Sequence, residues 1–275
     1  MTIDNQLALN LLKTAKDAAF LAGKNALQKI SSAKAEIKNN SELVTQVDAE
    51  CQKIIIDTVT KTFPDHGFLG EEGEKGNLYK KSPAPDQDFW WIIDPIDGTN
   101  NYAHNLPNFS VSIGVFHEGA PVAAVVYDPT TNTMFAAAKD QNATRNEKPI
   151  KTGTEKISKY ASISIDSHFD GFVPQYAKEI ILTTRSRSFG SSALHLAYLA
   201  HGGLIAAVMP KTKLWDIAAG ILIAAEAGAT ITDFNGNPIL PIDLENYKGQ
   251  PIPTLAANPA VHNQILQMIK TKNIR

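Results

Sequence analysis

The chain holds one cysteine in 275 residues, Cys51, which excludes an internal disulfide and leads us to expect a reducing compartment. Cys51 sits in a helical run with no activating neighbour to be read, so packing is expected of it rather than nucleophilic chemistry. No window approaches the about 18 uninterrupted apolar residues of a membrane-spanning helix. The N-terminal stretch has no apolar segment of the secretory-signal kind. Lys and Arg number 26 against 28 Asp and Glu, a net charge of −2, so there is no positive excess to attract nucleic acid or an anionic membrane. No His/Cys ligand cluster is present, which argues against a zinc site. Fixed-period repeats and low-complexity segments are also lacking. What remains is a soluble, cytoplasmic protein with 43% hydrophobic and 20% charged residues, an ordinary globular composition. Its length allows one large domain or two small ones.

The most informative stretch runs from Trp90 to Thr99. Trp90-Trp91-Ile92-Ile93 reads as a buried strand, and Pro95, lacking an N–H, is expected to end it. Asp94 and Asp97 then project from a stiff strand end. Gly98 permits a tight backbone, and Thr99 suits the N-cap of a following helix. Two carboxylates and a freed carbonyl make a site for a hard cation, and the helix start offers N–H groups to an anion. The competing reading is a plain turn, because Asp-Pro and Asp-Gly are both turn dipeptides. The EF-hand spacing is not there.

Around this stretch, apolar spacing predicts helices over Leu7 to Ile30 and Leu43 to Phe63, with a mobile polar loop from Ser31 to Ser41 between them. Lys34 and Lys38 in that loop could approach an anionic ligand, or be simply solvated. A short strand, Phe68-Leu69, leads to Gly70-Glu71-Glu72-Gly73, and 76–88 is expected to be loop. Strands over Val111 to Val115, Pro121 to Tyr127 and Met134 to Ala138 complete an antiparallel meander lying on the two helices. The second half restarts with strand Ala161 to Ile165 and a helix near Pro174 to Ile180. Ser191 or Ser192 caps a helix over Ala193 to His201. A strand follows at Leu204 to Met209, then the alanine-rich helix opened by Leu214-Trp215-Asp216. Thr230 to Thr232 and a terminal helix, Val261 to Lys270, finish the chain.

Five acids invite a joint reading: Asp48, Glu71, Asp94, Asp97 and Asp216. Each has an unremarkable alternative, as a helix cap, a first-turn acid or a turn residue. If they converge, they repel one another unless cations are present. An all-oxygen donor set then favours Mg²⁺ over Zn²⁺. Two such ions clamp a phosphoryl group and activate a water.

Glu71-Glu72 after Gly70, Asp94-Pro95-Ile96-Asp97-Gly98-Thr99, and Trp215-Asp216-Ile217-Ala218-Ala219-Gly220, in that order and with Asp48 upstream, resemble the inositol monophosphatase family. The likeness runs from the first helix to about Gly236. It implies an α/β fold, a layered αβαβα sandwich of the inositol monophosphatase and fructose-1,6-bisphosphatase type, in a single domain over 1–275. The site would lie between halves of about 1–150 and 151–275, usually in a homodimer. It also implies that Glu71, Asp94 and the Ile96 carbonyl bind an activating Mg²⁺, and that Asp94, Asp97 and Asp216 bind a second. Glu71 would lie near a third, weaker ion. Asp48 and Thr99 would orient the attacking water, Gly98 and Thr99 N–H groups would hold the phosphate, and Gly190 and Ser191 would touch the sugar ring. The implied reaction is direct in-line hydrolysis of a small phosphomonoester, inositol 1-phosphate first, with sensitivity to Li⁺.

One departure concerns the substrate. Where inositol-specific members carry a glutamate that grips ring hydroxyls, this chain has Met209, followed by Lys211 and Lys213. Fructose 1,6-bisphosphate, 3′-phosphoadenosine 5′-phosphate and histidinol phosphate are therefore alternative substrates. A different role, as a regulatory partner of the transcription machinery, is known among similar proteins.

Overall fold

The computed structural model describes residues 4–33, 35–38, 42–74, 77–166, 168–169 and 171–271. Helix α1 (Asn5–Lys29) buries the apolar stripe expected of it, from Ala8 and Leu11 through Ala22 and Ala26. After a single 3₁₀ turn at Ile30–Ser32, β1 (Ala35–Lys38) pairs antiparallel with β2 (Glu42–Thr45). The expected loop thus contains paired backbone, and Lys34, Asn39, Asn40 and Ser41 lie outside the described residues. Leu43-Val44-Thr45 belongs to the strand rather than to the helix, because Thr45 is an N-cap. Its hydroxyl accepts the Val47 N–H at 3.2 Å, while its own N–H donates to Asp48 Oδ2 at 2.9 Å. Helix α2 therefore begins later than expected and covers Gln46–Thr60.

Strands β3 (Gly67–Gly70), β4 (Tyr79–Lys81) and β5 (Phe89–Asp97) follow, with β4 a short edge strand inside the expected loop. A five-residue helix, α3 (Thr99–Ala103), separates β5 from β6 (Ser110–His117), β7 (Ala120–Asp128), β8 (Thr133–Ala138), β9 (Thr144–Arg145) and β10 (Lys148–Pro149). These form one eight-stranded sheet in the order β10-β9-β8-β7-β6-β5-β3-β4, antiparallel except where β3 meets β5.

The second half supplies β11 (Ser162–Ile165), α4 (Gln175–Thr183), β12 (Arg185–Arg187), α5 (Ser192–Ala200), β13 (Ala206–Met209), α6 (Leu214–Glu226), β14 (Thr230–Thr232), β15 (Thr254–Ala257) and α7 (His262–Thr271). Its five-stranded sheet runs β12-β11-β13-β15-β14. One face of the larger sheet packs on α1 and α2, the other on α5 and α6. The smaller sheet closes over α5 and α6 and carries α4 and α7 outside, which makes five αβαβα layers. No helix among the described residues is long and apolar enough to cross a membrane.

Strand β5 is apolar on both faces because both are covered. Trp91 and Ile93 join the core under α1 and α2, whereas Trp90 and Ile92 join the core under α6. Pro95 does not end this strand. The ladder continues from the pair Asp94–Ser112 to the pair Asp97–Ser110, so β5 carries one residue more than its partner, a β-bulge. Pro95 is tolerated there because a bulge leaves a residue out of the ladder. The extra residue reverses the side-chain alternation, so Ile96 joins Ile93 under the first two helices. Asp94 and Asp97, which a regular strand would aim at opposite faces, both face the α5 and α6 side.

Helix α6 lies close on this sheet because of its small residues. A Cβ added to Gly114 of β6 would stand 2.9 Å from the Ala218 carbonyl carbon and 3.0 Å from its Cβ. Gly114→Ala is expected to push α6 off the sheet and to destabilise the fold by about 1–3 kcal/mol, read as a lower urea midpoint.

His66 caps the same sheet. It accepts Trp91 Nε1–H at 3.0 Å on Nδ1 and stacks between the Phe63 and Phe89 rings, with centroids 4.7 and 4.8 Å away. Burial pushes its pKa down to about 4, below the about 6.5 of an unfolded chain. The unfolded chain therefore binds the extra proton first. The stability that neutral His66 contributes is complete above about pH 6.5 and is lost as pH falls towards 4. Urea midpoints at pH 7.5 and 5 should show a smaller acid loss in His66→Gln than in the parent chain.

Candidate active site

Helix α2 presents two polar residues one turn apart, and both are bonded to segments that line the cleft described below. Asp48, 1% exposed, accepts the Thr45 N–H and hydroxyl on Oδ2 (2.9 and 2.6 Å) and the Thr99 hydroxyl on Oδ1 (3.2 Å). Asp48 is therefore a buried cap, in which the cap contact and the contact to Thr99 are made by opposite oxygens. Burial drives its pKa up to about 6 in spite of the hydrogen bonds from Thr45 and Thr99. Gln52 clamps the turn that bears Glu71. Its Nε2 donates to Glu72 O at 2.6 Å and its Oε1 accepts Glu72 N–H at 3.1 Å, the pattern of a strand neighbour. Glu71 N–H in turn donates to Ile93 O at 3.2 Å, which seats Glu71 beside Asp94.

At the bulge, Asp94 is 2% exposed and its Oδ1 accepts Ile96 N–H at 3.1 Å. Burial first, then the charges of Glu71, Asp97, Asp216 and Asp48, hold its carboxyl well above the usual range. Asp97 reaches across to the start of α5. Its Oδ2 accepts Ala193 N–H at 2.7 Å and the Ser191 hydroxyl, and its Oδ1 accepts Ser192 N–H at 3.2 Å. Burial raises the Asp97 pKa to about 6 against these lowering contacts. Asp216 stands in the first turn of α6, with Oδ2 accepting Lys213 N–H at 2.7 Å.

Gly98, at φ 98°, occupies the N-cap position of α3, so Thr99 opens that helix instead of capping it. The Thr99 hydroxyl lies between Asp48 Oδ1 and the Ile96 carbonyl, 2.9 Å from the latter. Asn101 ties this turn to the second half: its Nδ2 donates to the carbonyls of Asn108 and Phe189, at 2.8 and 2.6 Å.

These elements enclose a cleft of about 540 Å³. Glu71, Asp94, Ile96, Asp97, Gly98, Thr99, Gly190 and Asp216 all line it, as the sequence predicts. Asn100, His168 and Ser192 also line it and were not foreseen. Two expected residues stand behind the lining. Asp48 supports Thr99 from below, and Ser191 is buried with its hydroxyl on Asp97, so that Ser192 takes the wall position. Ser191 also accepts Leu194 N–H at 3.2 Å and is the cap of α5. Gln52 was missed although its spacing from Asp48 puts it on the same helical face. Cys51 is buried, with its thiol pushed up to about 12 by burial, in keeping with packing.

The donor set fits a hard divalent cation: carboxylates and a backbone carbonyl, crowded enough that burial and mutual repulsion raise Asp94. Among the described residues no three acids, histidines or cysteines close on one point as a finished cage.

A sequence model of the inositol monophosphatase family matches residues 8–271. The inositol-1-monophosphatase of Bacillus subtilis is 34% identical over 84% of this chain and 85% of its own length. Nus factor SuhB of Escherichia coli is 35% identical over 82% of this chain and 84% of its own. A solved structure of SaIMPase-II with bound inositol monophosphate superposes with a TM-score of 0.76 at 28% identity, covering 94% of this chain and 92% of that one. The family match and these relatives make the protein a phosphoric monoester hydrolase. The chain belongs to the inositol monophosphatase family, which is generally metal-dependent.

Loosening the Gln52 clamp should misplace Glu71 without touching the cleft itself. Gln52→Ala is expected to lower kcat/KM about tenfold and to raise the divalent-cation concentration needed for half-maximal phosphate release, with an unchanged circular dichroism spectrum.

Proposed function

We propose that this protein hydrolyses a small polyol phosphate, inositol 1-phosphate first, in a Mg²⁺-dependent reaction by direct attack of water. The observation that carries the reading is the convergence of Glu71, Asp94, Asp97 and Asp216 on one cleft, with Asp94 raised by the charges of the others. Glu71, Asp94 and the Ile96 carbonyl would hold one ion and Asp94, Asp97 and Asp216 a second, with a weaker third near Glu71. An ion held there would supply neutralising charge to phosphoryl oxygens and a more acidic water. The chain's own groups do the rest. Gly98 and Thr99 N–H groups hold phosphate oxygens, Asp48 fixes the Thr99 hydroxyl, and the pair orients the attacking water. Gly190 and Ser192, which line the cleft from the second half of the chain, face the alcohol portion, with Ser191 acting through Asp97.

The two halves act as one domain in this reading, since neither supplies the complete set of lining residues. A homodimer and inhibition by Li⁺ come with the family resemblance, and the single buried Cys51 supports a cytoplasmic location. Met209 and Lys211, side by side in a pocket next to Asp216, keep sugar bisphosphates, 3′-phosphoadenosine 5′-phosphate and histidinol phosphate as alternative substrates. The likeness to Nus factor SuhB favours a second role as a partner of the transcription machinery, compatible with the first.

Phosphate release should be measured on inositol 1-phosphate, fructose 1,6-bisphosphate, 3′-phosphoadenosine 5′-phosphate and histidinol phosphate, with Mg²⁺ and with EDTA. Mg²⁺-dependent turnover led by inositol 1-phosphate is expected. Folded protein inert on all of them would overturn the reading. Asp94→Asn should remove at least about 10³ of the rate. Its melting temperature without metal should rise, because a buried charge leaves a repulsive cluster, and its gain on adding Mg²⁺ should vanish.

A further inference from the structure

Beside the acid cleft lies a smaller side pocket of about 100 Å³, and Ser192 and Asp216 line both. Asp166, Met209, Lys211 and Thr212 form part of its wall, and His195, from the first turn of α5, forms another. His195 is 4% exposed, and its two ring nitrogens are treated unequally. Nε2 accepts the Phe189 N–H at 3.0 Å, so that nitrogen carries no proton. Burial drives the ring's pKa down to about 4, which keeps it neutral at physiological pH. A neutral imidazole whose Nε2 accepts must carry its proton on Nδ1. That Nδ1 is buried and has no hydrogen-bond acceptor among the described residues. A buried donor without an acceptor is unfavourable and calls for an explanation at the site where it occurs.

We propose that His195 is a specificity-determining residue, whose Nδ1–H donates to a hydroxyl or ether oxygen of the substrate's alcohol portion when that portion enters the side pocket. The inference rests on the phosphatase reading and adds a substrate feature to it. The ester's alcohol must carry an oxygen acceptor beyond the one that bears phosphate, as polyol and sugar phosphates do and phenyl phosphate does not. Met209 supplies an apolar wall that offers no acceptor to a hydroxyl, and the His195 donor stands in the same pocket as the Asp166 and Asp216 carboxylates, so the pocket can meet both the oxygen and the proton of a hydroxyl. The position of the pocket agrees with this. Asp216 belongs to both cavities, so an ester whose phosphate lies in the acid cleft has its alcohol next to the pocket mouth.

The competing role for His195 is a structural one, to hold the segment before Gly190 through Phe189. Two substitutions separate the roles. In His195→Gln the amide oxygen can replace Nε2 as acceptor for Phe189 N–H, while the Nδ1 donor is gone. In His195→Asn the side-chain NH₂ falls near the Nδ1 position, while the Phe189 contact is lost. Steady-state kinetics with Mg²⁺ would compare inositol 1-phosphate and glycerol 2-phosphate with phenyl phosphate. We expect His195→Gln to raise KM for the polyol esters about tenfold, the effect of one hydrogen bond, with kcat little changed and phenyl phosphate unaffected. His195→Asn should recover most of that KM. Equal effects of His195→Gln on all three esters, or a loss confined to His195→Asn, would overturn the proposal and leave the structural role. So would a parent enzyme that hydrolyses phenyl phosphate and neither polyol ester. No turnover of any ester by the parent chain would instead remove the phosphatase reading on which the proposal stands.

Discussion

Crowding of negative charge around Asp94 is the constraint on which the rest of this structure depends. Its carboxyl is buried, and Glu71, Asp97, Asp216 and Asp48 all push its proton affinity upward. Such a cluster survives folding only if each member is held from behind. Asp97 is held by three donors at the start of α5, Asp216 by the Lys213 N–H, Asp48 by Thr45, and Asp94 by the Ile96 N–H. For Asp48, Asp97 and Asp216 the holding contacts are helix caps or cap-like bonds, worth about 1 kcal/mol each in ordinary settings. In the proposed mechanism the capping role and the catalytic role that a sequence presents as alternatives are therefore one arrangement, in which capping fixes the side chain of an acid at or behind the cleft.

The layers explain how residues so far apart in the chain meet. Helices α5 and α6 lie between the two sheets, and their first turns, with Asp216 and the N–H groups that hold Asp97, abut the bulged end of β5. Close approach depends on alanine and glycine: Gly114 of β6 against Ala218, and Gly220 against Leu196. The small-residue composition of α6 thus fixes the distance between Asp216 and the β5 acids. Asn101 adds a polar tie between the two halves through the Phe189 carbonyl.

Period and motif made much of this readable in advance. The alternating strands of the meander, the helical stripe of α1, the αβαβα layers implied by the family resemblance and the cleft-lining acids all stand where the sequence puts them. The misses share a physical cause: they depend on register or on contacts between distant segments. Pro95 read as a strand end because proline lacks a donor, but a bulge removes the need for one at that position. Polar composition between Ser31 and Ser41 masked a strand pairing that is a property of two segments together. Gln52 and His195 carry ordinary helical positions in the sequence. The significance of Gln52 comes from the Glu71–Glu72 turn, distant in the chain, and that of His195 from the fold of the loop that brings the Phe189 N–H back onto its ring. Ser191 takes the capping duty expected of it or Ser192, and the cap geometry turns it inward, which leaves Ser192 on the cleft wall.

The electrostatics of the cleft also bear on how a substrate is received. A phosphomonoester near neutral pH is close to a dianion, and the acids that line the cleft repel it as they repel one another. Against that repulsion the chain sets the backbone N–H groups at Gly98 and Thr99, which carry only partial charge. The residues alone are therefore a poor phosphate receptor, and cations are needed to bring phosphate among these carboxylates. The side pocket mixes Met209 and neutral His195 with the charged side chains of Asp166, Lys211 and Asp216, so it can discriminate among alcohols by shape and hydrogen bonding. In the proposed reaction the site separates into an acid cleft that handles phosphate and a side pocket that reads what the phosphate is attached to, with Asp216 lining both.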